Sequence, residues 1–187
     1  MVEIAAKRMT PEEFFAWTPN TDGRYELVDG VAVEMMSGAS RYHDRIVVNI
    51  FLSLGNQLAG SPCQPATADT GVRSRIRGVR RPDVTVTCDE PKSSTYEAED
   101  PRLVVEVISP DNVGIPWQEK LEEYRRRDGL VYILLVESES IDALLLTHKD
   151  AGWQSQRFTS LESVIELPDI ACRLRLADVY KGLSYPT

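Results

Sequence analysis

An almost continuous apolar run lies in the middle of the chain and reads Arg102-Leu103-Val104-Val105-Glu106-Val107-Ile108-Ser109. Such a run is typical of a β-strand that is covered on both faces of its sheet. A segment with helical periodicity follows from Trp117 to about Arg127, and a second apolar strand covers Leu130–Val136. A strand–helix–strand unit with a crossover of this length predicts a parallel pair of strands.

The residues before this unit predict a helix, a hairpin and a second helix. Thr10, Pro11 and Glu13 are typical of a helix start, with Thr10 as N-cap and Glu13 closing a capping box. Asp29-Gly30 lies between two β-prone runs and predicts a hairpin, because a type I′ turn needs positive φ at both central residues. Apolar residues at three- and four-residue steps predict a helix from Ser40 to about Ala59.

Further strands and a last helix complete the predicted secondary structure. The strands are expected at Gln64–Thr70, Gly71–Arg77, Pro82–Cys88, Ile141–Thr147, Trp153–Phe158 and Ile170–Leu176, and the short helix at Ala177–Gly182. We therefore expect one α/β (α+β) domain over residues 1–187, with a mixed central sheet flanked by helices and extra C-terminal strands.

Composition limits the classes of function. With 42% hydrophobic and 27% charged residues, the chain of 187 residues is expected to be globular. The formal net charge of −8 argues against a protein that coats nucleic acid over its whole surface, but not against a local basic patch. Apolar runs are too short for a membrane helix and the N-terminus lacks the pattern of a secretory signal, so a cytoplasmic protein without a membrane partner is expected.

The few cysteines and histidines limit the kind of metal site. Cys63, Cys88 and Cys172 are odd in number and widely spaced, which argues against a disulfide framework and against a cysteine-rich zinc site. His43 and His148 are the only histidines, too few for a histidine cage. A bound metal should therefore have oxygen ligands, which favour magnesium, manganese or calcium.

Two carboxylates are the first candidates for chemistry. An unpaired carboxylate is costly to bury, so Glu106 within Leu103–Ile108 predicts either an ion pair with an arginine or a bound cation. Asp83 follows Pro82, and proline has no backbone donor, so we expect this aspartate at the mouth of its strand. Pro-Asp alone is a common turn dipeptide and gains weight only beside Glu106.

Lys120 is the third candidate. It shares one face of the predicted helix with Trp117, Leu121 and Tyr124, and this face should pack on the sheet because it carries the large apolar groups. The lysine either extends past the face to water or reaches over the sheet toward the two carboxylates.

The second alternative for Lys120 predicts a reaction at phosphate. Asp83 and Glu106, helped by the backbone carbonyl of Val107, would hold one or two magnesium ions. Lys120 would orient a water molecule or stabilise the charge that develops on the phosphate.

A basic segment precedes the aspartate. Arg73, Arg75 and Arg77 alternate along a predicted strand, which would place them on one face, and Arg80 and Arg81 extend this ridge. We favour a grip on DNA phosphates, for which guanidinium groups are well suited. The alternative is a salt-bridged edge strand that discourages aggregation.

The order of four motifs resembles the Uma-type family of restriction endonucleases within the PD-(D/E)XK superfamily. These motifs are Arg24-Tyr25-Glu26-Leu27-Val28-Asp29-Gly30, Arg81-Pro82-Asp83-Val84, the run Val104–Pro110, and Lys120 with Tyr124. The resemblance covers the chain from about Met9 to Leu183. It implies a restriction-endonuclease-like core and a catalytic centre made of Asp83, Glu106 and Lys120.

The resemblance also implies accessory residues and two departures. Glu26 matches a glutamate of the family that would be an outer metal ligand, and the alternative is a polar position on a hairpin. His43 is either a hydrogen-bonded core histidine or a residue that lines the site. With Tyr124, both are expected to surround the catalytic residues. Ile108 stands where the superfamily usually has its lysine, and this family has moved that lysine onto the following helix. Pro116 stands where the family tends to have an aspartate.

Two functions follow as hypotheses. The first is an endonuclease that uses Mg2+ or Mn2+ to hydrolyse phosphodiester bonds of DNA. The alternative is a catalytically silent nuclease fold that acts as a nucleic-acid-binding or regulatory module. Enzymes that cut both strands often pair two sites by symmetry, so a homodimer is a further hypothesis, by analogy alone.

Overall fold

A computed structural model of the protein describes residues 8–35, 40–75, 77–109 and 117–185, with the backbone alone at Arg75 and Trp117. Four α-helices are present in these ranges: α1 Pro11–Trp17, α2 Arg41–Gln57, α3 Trp117–Arg125 and α4 Leu176–Val179. The strands are β1 Tyr25–Val28, β2 Val31–Glu34, β3 Gln64–Thr67, β4 Val72–Arg75, β5 Gly78–Arg80, β6 Val84–Thr87, β7 Pro101–Ile108, β8 Tyr132–Glu137, β9 Ala143–Lys149, β10 Gly152–Phe158, β11 Val164–Leu167 and β12 Cys172–Arg175.

Six strands form the central mixed sheet, in the order β10-β9-β8-β7-β6-β3. The neighbours β7 and β8 are parallel, and the other pairs are antiparallel. The parallel pair predicted around the apolar run is thus confirmed, and so is the mixed sheet flanked by helices.

Alternate residues of β7 enter two different cores. Val105 and Val107 pack with Ile50 of α2 on one face, and Val104 packs with Tyr124 of α3 on the other. Because alternate residues of a strand share a face, Glu106 points to the same side as Val104, toward α3. The prediction of a strand covered on both faces is confirmed.

A second sheet, in the order β2-β1-β5-β4, carries the hairpin predicted at Asp29-Gly30. These two residues have φ values of 47° and 86°, as a type I′ turn requires. The strand predicted at Gly71–Arg77 ends earlier, at Arg75, with a register shift between Arg73 and Arg75. Arg77 lies in the turn before β5, so the predicted alternation of three arginines along one strand is wrong.

The C-terminal part extends the central sheet and adds a separate ribbon. β9 and β10 form the predicted edge hairpin, whereas β11 pairs with β12 in a two-stranded sheet. The sequence pattern missed β11, and α4 is shorter than the predicted helix. None of the described helices is long and apolar enough to cross a membrane.

A disulfide joins Cys63 to Cys88, which corrects the expectation drawn from cysteine spacing. Gln64 of β3 faces Thr87 of β6, so Cys63, which precedes Gln64, and Cys88, which follows Thr87, are cross-strand neighbours. Their separation of 25 residues along the chain hides this proximity. Cys172 is buried and free.

Candidate active site

Lys120 reaches over the sheet to Glu106. Its Nζ lies 3.2 Å from Oε1 and 3.4 Å from Oε2 of the glutamate. The two side chains are 20% and 17% exposed, so the pair lies in a cleft that solvent still reaches. Lys120 thus reaches over the sheet toward the carboxylates and does not extend past the helix face to water.

Glu26 holds the same ammonium from the other side. Its Oε1 lies 3.0 Å from Lys120 Nζ and also accepts the backbone N–H of Arg81 at 3.1 Å. β1, which carries Glu26, pairs with β5, and this pairing brings the N-terminal sheet against the end of α3. Lys120 therefore bridges two carboxylates that belong to two different sheets.

Asp83 stands where the ladder between β6 and β7 ends. The last paired residues are Val84 and Val105, a register that places Asp83 beside Glu106. Pro82 has no N–H to continue the ladder, and the Oδ2 of Asp83 instead accepts the backbone N–H of Val107 at 2.7 Å. The predicted position of the aspartate at the mouth of its strand is observed.

His43 lies on the far side of Asp83. It belongs to the first turn of α2, where Ser40 accepts its backbone N–H, and its Nε2 is 3.4 Å from Oδ2 of Asp83. Burial lowers the pKa of His43, but the hydrogen bond to Asp83 and the charges of Asp83 and Glu106 outweigh it, so this pKa lies above its ordinary value.

Tyr124 completes the surroundings of Glu106. It follows Lys120 by one helical turn, and its buried hydroxyl donates to Oε1 of Glu106 at 2.6 Å. Burial and the charge of Glu106 raise the pKa of Tyr124 well above its ordinary value, so the hydroxyl stays a donor.

The balance of charges around Glu106 is unfavourable to its ionised form. Burial and the negative charges of Asp83 and Glu26 raise the pKa of Glu106, while Lys120 and the Tyr124 hydroxyl act in the opposite direction. Burial also disfavours the charged form of Lys120, yet Glu106 and Glu26 outweigh it and raise the pKa of the lysine. The ammonium form of Lys120 is therefore favoured, and a further cation beside Asp83 and Glu106 would offset the negative charge of these two carboxylates.

A buried ionic network supports Glu26 and was missed by sequence reasoning. Arg80 is 0% exposed and donates to Glu26 Oε2 at 3.0 Å and to both oxygens of Glu123, at 2.7 and 2.8 Å. The hydroxyl of Ser74 donates to Glu123 at 2.6 Å. Sequence reasoning did not single out Glu123, although its three-residue spacing from Lys120 could have placed it on the inward face of the helix.

Only some of the five arginines that were predicted to contact DNA phosphates lie on the surface. Arg80 is enclosed by two glutamates, and Arg81 is buried with its guanidinium donating to the carbonyls of Tyr25, Ala68 and Asp69. Neither is placed to contact a duplex, because each already satisfies buried acceptors.

The other predicted DNA contacts differ among themselves. Arg73 is half-buried and paired with Glu12 and with Glu97, whereas Arg77 is exposed. The side chain of Arg75 and residue Pro116 lie outside the described residues.

The carboxylate oxygens of Asp83 and Glu106 fit an ion such as magnesium better than a metal whose ligands all come from the protein. Asp83 and Glu106 offer carboxylate oxygens on adjacent strands, in a cleft that is partly open. Across the described ranges, no group of three or more His, Cys, Asp or Glu side chains is arranged to hold a metal ion. Magnesium is commonly bound by one or two carboxylates and completes its shell with water and substrate phosphate, so two suffice.

The chain is similar to known proteins both in sequence and in fold. Residues 11–177 match the model of the Uma2 family, described as "Putative restriction endonuclease". An uncharacterized protein of Synechocystis is 29% identical over 181 residues, which cover 95% of this chain and 94% of that protein.

A solved structure has the same fold. It is described as "a putative nuclease belonging to DUF820" from Anabaena variabilis, and it superposes with a TM-score of 0.72 at 14% identity, covering 92% of this chain and 97% of the other. The resemblance drawn from four motifs is confirmed: the chain belongs to the Uma2 family.

Proposed function

We propose that the protein is a metal-dependent nuclease that hydrolyses phosphodiester bonds of DNA with Mg2+ or Mn2+. The observation that carries this proposal is the convergence of Asp83, Glu106 and Lys120 at the end of β6 and β7. Two carboxylates that can hold a cation and one ammonium, all partly exposed, can together promote hydrolysis of a phosphodiester.

The residues of the candidate site would have different roles in the reaction. Asp83, Glu106 and the backbone carbonyl of Val107 would hold the cation, which when bound supplies charge neutralisation at the phosphate. The ammonium of Lys120 would orient the attacking water or stabilise the negative charge that builds up on the phosphate oxygens.

The supporting residues fix this arrangement before substrate binds. Glu26 holds Lys120 in place, and Arg80 in turn holds Glu26. Tyr124 donates to Glu106 and favours its ionised form, the form that binds a cation. His43 donates to Asp83 and orients its carboxylate.

A second candidate is a silent nuclease fold that binds nucleic acid without cutting it. The contacts of Glu106 favour it, since Lys120 approaches both oxygens of this carboxylate and Tyr124 donates to one of them. A glutamate satisfied in this way is stable without a metal.

Cleavage of supercoiled plasmid tests the proposal. Wild-type protein should nick plasmid in Mg2+ or Mn2+ and should stop when EDTA is added, whereas Asp83→Asn should be inactive. Asp178→Asn, an exposed aspartate of α4, is the matched control and should cut like wild type. Equal cleavage by wild type and Asp83→Asn would overturn the proposed centre, and binding of plasmid without any cleavage would favour the silent fold.

A further inference from the structure

A basic groove lies at the C-terminal end of α3, away from the catalytic carboxylates. Its volume is about 810 Å³, and it is lined by Asp29, Arg73, Ser74, Arg77, Arg126, Arg127 and Asp128. Arg73 is held in its ion pairs, and the three other arginines against two aspartates leave one positive charge in excess at the groove, in a chain whose net charge is −8. A local excess of this sign selects for an anion.

Two of these arginines have hydrogen-bonding capacity left for a ligand. Arg77 is exposed, and no ion pair or hydrogen bond joins its guanidinium to another part of the described chain. Arg126 is 59% exposed, with a single contact of 3.9 Å to Glu122. Guanidinium donors in such positions match the oxygens of a phosphate in pairs.

Arg127 lies in the wall of the groove. Its Nη2 donates to the carbonyl of Glu99 at 2.8 Å, which fixes the side chain. Its positive charge adds to that of Arg77 and Arg126 and favours a bound anion.

The floor of the groove is joined to the catalytic centre through buried side chains. Ser74 donates to Glu123, which binds Arg80, and Arg80 binds Glu26, the partner of Lys120. The groove and the ammonium are thus held at a fixed separation.

We propose that this groove binds a backbone phosphate of the nucleic acid other than the phosphate at Lys120. The inference rests on the proposed function for its ligand, and it replaces the predicted five-arginine ridge with a different set. Arg77 and Arg126 make the contacts, Arg127 lines the wall, and Arg73 stays in its ion pairs. The groove adds affinity and register without base recognition.

Fluorescence anisotropy with a short labelled duplex in EDTA and low salt tests the groove. The variants are Arg77→Glu and Arg126→Glu, and the control is Arg173→Glu, an exposed arginine of β12 with the same change of charge. Each groove variant should bind about tenfold more weakly or worse, and the slope of log affinity against log salt should fall by about one. Affinities and slopes equal to those of Arg173→Glu would overturn the inference.

Cleavage of the same duplex separates the two proposals. If wild type cuts and the groove variants bind like the control, the groove inference fails and the proposed function stands. If wild type binds through the groove but does not cut in Mg2+ or Mn2+, the function fails and the groove stands. Absence of any binding by wild type, to duplex or single strand, overturns both.

Two further measurements keep the binding result interpretable. Both target arginines have exposed side chains, so melting temperatures near that of wild type are expected and show that the variants are folded. Arg77→Gln, which removes the charge without reversing it, should show an intermediate loss of affinity. An affinity of this variant equal to wild type would contradict a phosphate contact by Arg77.

Discussion

The ammonium of Lys120 lies 3.2 Å from a carboxylate oxygen of Glu106, although the two residues are separated by 14 positions and belong to different elements. Glu106 lies near the end of β7, on the face of the sheet that α3 covers. Lys120 precedes Tyr124 by one turn of α3 and therefore lies over the end of this strand. Lys120 also contacts Glu26 and is the cation between two acids.

Removal of this cation should destabilise the protein. In Lys120→Met, Glu106 loses its cationic partner while Glu26 keeps Arg80, and breaking a buried ion pair in this way typically costs about 3–5 kcal/mol. Urea denaturation measures this loss, with Lys181→Met, at an exposed lysine, as the control. A loss no larger than that of the control would show that the bridge contributes nothing to stability.

Arg80 should be a structural residue rather than a DNA contact. Arg80→Met removes the buried cation that both Glu26 and Glu123 contact, and we expect a loss of about 3–5 kcal/mol in the free energy of unfolding. Arg173→Met, at an exposed position, should stay within about 0.5 kcal/mol of wild type. A fully stable Arg80→Met that binds DNA more weakly would instead support the original phosphate grip.

The disulfide should contribute measurably to stability. Closing a loop of 25 residues is worth about 3 kcal/mol, so a reductant should lower the melting temperature of wild type. Cys63→Ser should melt at the lower temperature and should not respond to reductant. Thiol titration of unfolded protein should find one thiol, that of Cys172, before reduction and three after it. Three thiols before reduction would contradict the bond.

Tyr132 should make stability depend on alkaline pH. Burial and the hydrogen bond that its hydroxyl donates to Asp169 raise the pKa of Tyr132 from 10.0 to about 12. The raised pKa favours the protonated folded state, so this contribution is complete below pH 10.0 and is lost as pH rises through about 12. Tyr132→Phe should lose less stability than wild type over this range, measured by urea denaturation. Parallel pH profiles would contradict the assignment.

Most helices and strands could be predicted from the sequence, because the patterns that determine them extend over only a few neighbouring residues. The capping box at Thr10, the turn at Asp29-Gly30 and the alternation in β7 all have causes that lie within one element. The disulfide and β11 were missed, because both depend on which strands become neighbours.

The same distinction applies to the candidate site. Glu106 stands out in sequence because an acid within an apolar strand needs compensation. Arg80 and Glu123 do not stand out, because an arginine and a glutamate on mostly polar segments have the pattern of an exposed surface. Only the pairing of β1 with β5 and the packing of α3 on β4 turn both of them inward.

The central claim is that Asp83 and Glu106 make a metal-dependent cleaving centre, and single-turnover cleavage of a labelled duplex tests it most directly. With protein in excess, the wild-type rate should rise with Mg2+ concentration and saturate. Glu106→Gln should bind the duplex with wild-type affinity in EDTA, yet cut it at least about a hundredfold more slowly at every Mg2+ concentration. A Glu106→Gln rate that equals the wild-type rate at saturating Mg2+ would contradict the account.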